Sequence, residues 1–308
     1  ITMNEARLGV GIQGLGMSEV AYQSAAEYSK ERLQGRSLDS SNIQELPADP
    51  IIVHPDVRRM LLSIKSFNEA ARALSIWIAL NIDISEYHPD HDTRDNASDL
   101  LALMTPIAKA FLTDTSFENV NLALQCYGGH GYIRDHGIEQ FVRDTRITQL
   151  YEGTSGIQAL DLVGRKLPKN MGRLLRQFFH PVDKFIQENI GESELSELIL
   201  PLAKSFARLQ QASAWVAEKG MSNPNEAAAA SSDYLKLFGL VTLGYMWGMM
   251  AKVSLSEINN ENSEREFHED KINLAKFFMN KVLPETSSLL SKITAGSETL
   301  MSIKNSNF

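Results

Sequence analysis

A chain of 308 residues with 43% hydrophobic and 22% charged residues can bury one large core or two smaller ones, which excludes disorder as the default state. The formal net charge is −8 and no run of five or six basic residues occurs, so a phosphate-backbone partner is disfavoured and no nucleic acid is expected. A single cysteine, Cys126, rules out an internal disulfide and suits a reducing compartment, expected to be a bacterial-type cytoplasm or, in a eukaryote, the mitochondrial matrix.

The first residues, ITMNEARLGVGIQGLG, have no basic start, no small-residue cleavage site and no initial methionine, so no signal peptide is expected and the chain reads as one entered midway. Residues 6 to 33 lack proline and end in Lys30-Glu31-Arg32 before Gly35, which predicts one long helix. Inside it Gly9, Gly11, Gly14 and Gly16 would each cost about 1 kcal/mol against alanine, so a neighbouring backbone or a ligand is expected close by. Gly9 to Gly14 also satisfies Gly-x-Gly-x-x-Gly, but no strand precedes it and no βαβ unit follows. Helix packing, not dinucleotide binding, is the expected use.

From Ser37 to Pro55 the composition turns to Ser, Asn, Asp and Pro, predicting a linker that ends where Pro55 suits a first helical turn. Val57, Met60, Leu61, Ile64, Phe67, Ala71, Leu74 and Ile78 then recur at three- and four-residue intervals, predicting an amphipathic helix over 56 to 86, roughly 45 Å long. Tyr87 to Asn96 is expected to be a polar loop. Leu100, Leu103, Met104, Ile107, Phe111 and Leu122 to Leu124 build a third helix that stops at Gly128-Gly129. No stretch alternates like a strand, and the first 165 residues predict a four-helix arrangement.

Leu167-Pro168-Lys169-Asn170 marks a boundary, followed by helical patterns at about 171 to 190, 193 to 219, 225 to 257 and 268 to 291. Asn223-Pro224-Asn225-Glu226 offers an N-cap, a first-turn proline and an N3 glutamate. Leu237 to Ala251 carries no charge, but it is short for a bilayer span and contains three glycines; a buried core helix is expected and no transmembrane segment.

Some residues invite chemistry that their setting does not support. His88-Pro89-Asp90-His91-Asp92 collects metal-type side chains in a polar loop with no second ligand cluster, so a solvated loop and no metal site are expected. His130 and His136 are expected to be structural hydrogen-bonders. Met246, Trp247, Met249 and Met250 at helical spacing are expected to fill a core.

Three motifs follow one another in the first half. They are Leu124-Gln125-Cys126-Tyr127-Gly128-Gly129-His130-Gly131-Tyr132, Phe141-Val142-Arg143-Asp144-Thr145-Arg146-Ile147, and Tyr151-Glu152-Gly153-Thr154-Ser155-Gly156-Ile157-Gln158. Alone, Glu152 would read as a carboxylate at a helix N-terminus. In this order and spacing the set resembles the C-terminal signature of the acyl-CoA dehydrogenases. The resemblance covers about residues 1 to 165. Residues 170 to 308, through Asp233-Tyr234-Leu235-Lys236-Leu237-Phe238-Gly239 and Trp247, resemble the extra C-terminal helical domain of a bacterial subgroup that includes 3-methylthiopropionyl-CoA dehydrogenase-like enzymes. The implied fold is all-α: a C-terminal four-helix bundle at 1–167, carrying flavin and catalytic-base residues, then a second helical domain at 168–308.

The resemblance implies FAD as cofactor and an acyl-CoA as substrate, oxidised across Cα–Cβ to the 2-enoyl-CoA. It gives Glu152 the α-proton, with the β-hydride going to the flavin. Such a reaction needs a positioned carboxylate and donors for the developing enolate; in the family the base's own backbone N–H is one of them. It further implies Arg7, Asn4 and Gly153 as substrate-binding residues: Arg7 near substrate and base, Asn4 where many relatives have an aspartate touching CoA, and Gly153 next to the base. Arg32 is implied at the pyrophosphate, and Gln125, Gly128 and Gly129 along the adenosine half, of the partner subunit's FAD. Thr154 and Gly156 are implied at the chain's own FAD, although many relatives have glutamine at the position of Gly156. Gln34 stands where threonine is common after the arginine, and His54 aligns with a common histidine before the next helix.

A homo-oligomer, dimer or dimer of dimers, and an electron-transfer flavoprotein or similar acceptor are the implied partners. The family's N-terminal helices and middle β-domain have no counterpart in this sequence, so this chain by itself is expected to be inactive. An acyl-CoA oxidase of the same family would share the signature, and a non-catalytic helical assembly or partner-docking module is the alternative of another class.

Overall fold

The computed structural model describes residues 2–38, 46–258, 260 and 264–307, and every regular element among them is helical. Three long helices begin the chain: α1 (Thr2–Glu31), α2 (Pro55–Tyr87) and α3 (His91–Tyr127). A bridge between Leu33 and Pro50 closes a loop that takes in most of the expected linker from Ser37 to Pro55, of which residues 39–45 lie outside the described residues.

Two of the four glycines of α1 explain its approach to α3. A Cβ at Gly11 would stand 3.3 Å from the Ala108 carbonyl oxygen, and one at Gly14 would stand 3.3 Å from Ser116, whereas Gly9 and Gly16 meet nothing within 4 Å. Buried polar side chains fix the register of the three helices: Ser18 Oγ donates to Asn68 Oδ1 at 2.5 Å, and Asn119 Nδ2 donates to Ser18 Oγ at 3.0 Å. Satisfied networks of this kind specify one packing arrangement among many apolar ones.

The expected polar loop at 87–96 is shorter than its composition suggests. Asp90 accepts hydrogen bonds from the Thr93 backbone N–H at 2.9 Å and from its hydroxyl at 2.6 Å, so α3 starts at His91. An aspartate N-cap is sufficient to begin a helix before its apolar face begins. Gly128, at φ 59°, ends α3. The expected four-helix arrangement therefore consists of three long helices and two short ones, α4 (Ile138–Arg146) and α5 (Ser155–Asp161), both packed on α3.

Asn170, Met171 and Gly172 all have positive φ and redirect the chain into α6 (Arg173–Asn189). Then come α7 (Ser196–Ser222), α8 (Pro224–Glu257), α9 (Arg265–Phe277), α10 (Glu285–Thr294) and α11 (Glu298–Met301). The helix expected at 268–291 is divided, because a π-helical turn at Phe278–Val282 and Pro284 interrupt it. One buried cluster runs from Leu8 and Leu15 of α1 through α2 and α3 to Phe178, Trp247 and Ile293, so the two halves share a core. A smaller cluster, with Ala25, Ile64, Val120 and Ile138, fills the space around the distal part of α1.

Helix α8 lies at the centre of this shared core. Asn223 caps it through the Asn225 N–H, but Glu226 does not close a capping box; it accepts from the Ser297 N–H at 2.9 Å and its hydroxyl at 2.7 Å, tying α8 to the start of α11. The uncharged stretch from Leu237 to Ala251 is buried in protein, and none of the described helices is long and apolar enough to cross a membrane. Trp247 is fully buried and donates from Nε1 to the Ser66 carbonyl of α2 at 3.0 Å. Gly239 seats the Phe111 ring of α3, where a Cβ would fall 2.3 Å from Cγ. We expect Gly239→Ala to destabilise the protein by on the order of 2 kcal/mol, the overpacking cost exceeding the gain in helix propensity. Denaturant unfolding with and without Phe111→Leu checks this, since the smaller side chain should recover most of the loss.

Candidate active site

The chain leaves α4 through a 3-10 turn, Ile147–Gln149, and reaches two consecutive residues with positive φ, Glu152 at 55° and Gly153 at 89°. A non-glycine residue in the left-handed region costs about 1–2 kcal/mol, so surrounding contacts must hold Glu152 there. Gln158, fully buried on α5, donates from Nε2 to the Glu152 carbonyl at 3.0 Å. Lys109, fully buried on α3, donates from Nζ to the Gly153 carbonyl at 2.7 Å. Asp114 of α3 brackets the turn, accepting from Gln149 Nε2 at 2.7 Å and Ser155 Oγ at 2.6 Å. The Tyr151 hydroxyl donates to Gln13 of α1. A side chain at Gly153 would be strained by the φ of 89° and would put a Cβ 2.5 Å from Gln158 Nε2, pushing that donor off the Glu152 carbonyl.

The outcome is a clamped backbone with an exposed carboxylate. Among the described residues the Glu152 side chain has no hydrogen-bond or ion-pair partner, and its backbone N–H is paired with no acceptor. Lys109 supplies positive charge close enough to interact with Glu152. Arg7 Nη1 lies 3.8 Å from Asp161 Oδ2, and that aspartate also binds Arg165. Burial pulls the Lys109 ammonium below the ordinary lysine range, Asp114 and Glu152 oppose that shift, and Arg7 adds to it. Asn4 is half-buried one turn before Arg7 on the same face of α1.

Lys109 was not among the residues singled out in the sequence. Its signal is there nonetheless: it is the lone charge between Asp99 and Asp114.

Arg32, Gln34, Gln125, Gly128 and Gly129 come together in a groove of about 610 Å³ at the far end of α1. Tyr28 and Tyr127 stack at 4.1 Å beside it. The Tyr28 hydroxyl is 2.8 Å from His130 Nδ1, the structural hydrogen bond expected of that histidine, whereas His136 stacks on His130 at 5.3 Å and its side chain makes no hydrogen bond among the described residues. His54 Nε2 lies 2.7 Å from the Gln34 carbonyl and so holds the backbone rim. The Arg32 guanidinium is exposed with no carboxylate partner among the described residues, and the Gly128–Gly129 backbone faces open space.

Cys126 also borders this groove, but burial pushes its thiol up to about 11. The sign is that of an acid favoured in its neutral form, so the thiolate is scarce below that pH. Alkylation by iodoacetamide at pH 8 is expected to be negligible in the folded protein and rapid in denaturant, as read by mass spectrometry.

Thr154 and Gly156 line a different cavity, of about 510 Å³, between α3, the Glu152 turn and α8, with Asp114, Asp233 and Lys236 among its walls. Thr154 Oγ1 accepts from the Ile157 N–H at 3.4 Å and caps α5. The residues expected at the cofactor thus form two separate sets. The Arg143-Asp144 pair does not bond internally: Arg143 Nε donates to Glu139 at 2.9 Å, and Asp144 accepts from Gln140 at 3.2 Å, all on α4. His88 to Asp92 serves the α2–α3 turn through Asp90, and Met246 is core.

An all-α chain with a clamped Tyr-Glu-Gly-Thr turn falls into a known class. Residues 1–167 match the family described as acyl-CoA dehydrogenase, C-terminal domain, and residues 178–304 match one described as acetyl-CoA dehydrogenase C-terminal like. The chain belongs to the acyl-CoA dehydrogenase family, as a C-terminal portion, and FAD is the cofactor of that family.

Among curated relatives, 3-methylmercaptopropionyl-CoA dehydrogenase of Ruegeria pomeroyi is 35% identical over 98% of this chain and 50% of its own length. The broad-specificity linear acyl-CoA dehydrogenase FadE5 of Mycobacterium tuberculosis is 28% identical over 99% of this chain and 52% of its own. The chain therefore spans about half the length of these relatives. In fold it is similar to ACDH-11 of Caenorhabditis elegans solved with C11-CoA, at TM-score 0.71 and 16% identity over 91% of this chain and 43% of that one. An acyl-CoA dehydrogenase of Bacillus anthracis solved with FAD gives TM-score 0.68 and 18% identity over 98% and 49%.

Proposed function

We propose that this chain is the base-carrying C-terminal portion of an FAD-dependent acyl-CoA dehydrogenase, with Glu152 removing the α-proton of an acyl-CoA thioester. The observation that carries this reading is the left-handed turn that holds Glu152 by its backbone while leaving its carboxylate exposed and without a partner among the described residues. An α-hydrogen of a thioester is weakly acidic, so its removal requires a carboxylate fixed against it. The Cα–H bond breaks toward Glu152 and its electron pair delocalises into the thioester carbonyl. The free Glu152 N–H stabilises the oxygen on which that charge develops. Bound FAD supplies the two-electron acceptor for the β-hydride, completing the 2-enoyl-CoA.

The residues present fit that cofactor. The exposed Arg32 guanidinium suits a pyrophosphate, and Gln125 with the open Gly128–Gly129 backbone suits the adenosine half, with Gln34 on the rim. These would serve the flavin of a partner subunit, while Thr154 and Gly156, in their own cavity, would face the flavin of this one. Arg7 and Gly153 would line the substrate beside the base, and Asn4 would meet the CoA. Residues 1–167 would form the flavin- and base-bearing domain and 168–308 a second helical domain that buttresses α3. The enzyme would act as a homo-oligomer and pass electrons to an electron-transfer flavoprotein or similar acceptor.

Acceptor choice tests the dehydrogenase reading. After anaerobic reduction of the flavin-loaded full-length protein by acyl-CoA, reoxidation should be fast with an electron-transfer flavoprotein or dye and slow with oxygen. Equal or faster reoxidation by oxygen would identify an oxidase instead.

A further inference from the structure

Lysine is seldom fully buried unless a carboxylate pairs with it. Lys109 is fully buried, yet no carboxylate oxygen among the described residues lies within ion-pair distance of Nζ, and its hydrogen bond goes to the Gly153 carbonyl. Desolvating an ammonium costs more than one charge-assisted hydrogen bond returns. A methionine at this position would fill the same space without that cost. As a device for stability alone, Lys109 is therefore a poor choice, and its placement calls for another use.

Its partner suggests what that use is. Gly153 directly follows Glu152, and both residues have positive φ, so the direction of the Glu152 side chain depends on where the Gly153 peptide is held. Gln158 holds the Glu152 carbonyl from α5, and Lys109 holds the next carbonyl from α3. The two tethers come from different helices and hold the two consecutive carbonyls of the turn, inside the bracket that Asp114 and Tyr151 set on its flanks. Phe111, two residues along α3 from Lys109, is seated on Gly239 of α8, so the distal half of the chain backs the strut that carries Lys109.

We propose that Lys109 is a positioning residue for Glu152: by clamping the Gly153 carbonyl from within the core, it aims the carboxylate at the substrate's α-carbon. The inference rests on the reading of Glu152 as the base. Lys109 touches no reacting atom, so its removal should slow proton abstraction while leaving acyl-CoA affinity and FAD content almost unchanged.

The test uses the flavin-loaded full-length protein and (methylthio)acetyl-CoA, in which sulfur replaces the β-carbon so that no hydride can leave. Exchange of the α-protons in D2O, followed by NMR, reads abstraction alone, and ligand affinity is measured by titration of the flavin spectrum. Lys109→Met is expected to slow exchange by about 10- to 100-fold, the size of effect a misaligned base gives, with affinity and FAD content close to wild type. Lys109→Arg, which keeps a charged donor, should recover part of the rate. If Lys109→Met does not fold, Lys109→Gln and Lys109→Arg carry the test through their own exchange rates at retained FAD content. Wild-type exchange in any folded variant that lacks a donor to Gly153, or equal loss of exchange and ligand affinity, overturns the proposal. A Glu152→Gln control keeps the two readings apart, because exchange that survives in that variant overturns the base itself, whatever Lys109 does.

Discussion

Glu152→Gln in the flavin-loaded full-length protein should lower turnover by about 10²- to 10⁴-fold, the contribution expected of a general base. The amide has the shape of the carboxylate, and the turn is held through backbone carbonyls by Gln158 and Lys109. The backbone should therefore keep its conformation, and FAD content should be unchanged. Steady-state kinetics with flavin quantified per protomer checks both halves of the expectation. Turnover at the wild-type rate would remove Glu152 from the chemistry, and loss of FAD together with turnover would make it a structural residue.

The second large effect concerns stability. Trp247 is completely buried where α8 crosses α2, and its indole N–H satisfies the Ser66 carbonyl. Trp247→Ala should cost about 3–5 kcal/mol, because it empties a large site and strands a buried acceptor. Trp247→Phe should cost about 1–2 kcal/mol, since it keeps most of the apolar contact and loses chiefly the hydrogen bond. Urea or guanidinium unfolding of both variants measures the difference. A loss below about 1 kcal/mol for the alanine variant would mean that the two halves do not share a cooperative core.

Much of the fold was legible because its signals are local. The three- and four-residue spacing of α2, the Asn223-Pro224 start of α8 and the stop at Gly128 are each written within a few residues. The shortfalls have local causes too: the Asp90 cap begins α3 before its apolar face does, and the π turn at Phe278–Val282 interrupts a pattern that reads as continuous. The partners of individual side chains were not legible, since they depend on contacts distant in sequence. Glu226 looks like half of a capping box, yet it holds Ser297, 71 residues away. Gly239 looks like a weak point in a helix until Phe111 is found against it.

The candidate site divides along the same line. Glu152 stood out through its motif, and the groove residues Arg32, Gln125, Gly128 and Gly129 came from widely separated segments yet meet in one place. Lys109 escaped notice because a lone lysine in an apolar helix ordinarily reads as a side chain reaching solvent. Only the folded arrangement shows it turned inward, onto the carbonyl that follows the base. The cavity holding Thr154 and Gly156 was hidden for the same reason, since Asp233 and Lys236 reach it from a helix in the other half of the chain.

The central claim is that Glu152 takes the α-proton of an acyl-CoA thioester, and α-proton exchange tests it without requiring turnover. The flavin-loaded full-length protein should catalyse exchange of the α-protons of (methylthio)acetyl-CoA with D2O, and Glu152→Gln, with FAD and ligand still bound, should abolish it. Exchange at the wild-type rate in that variant, or none in the wild type with the ligand bound, would contradict the account.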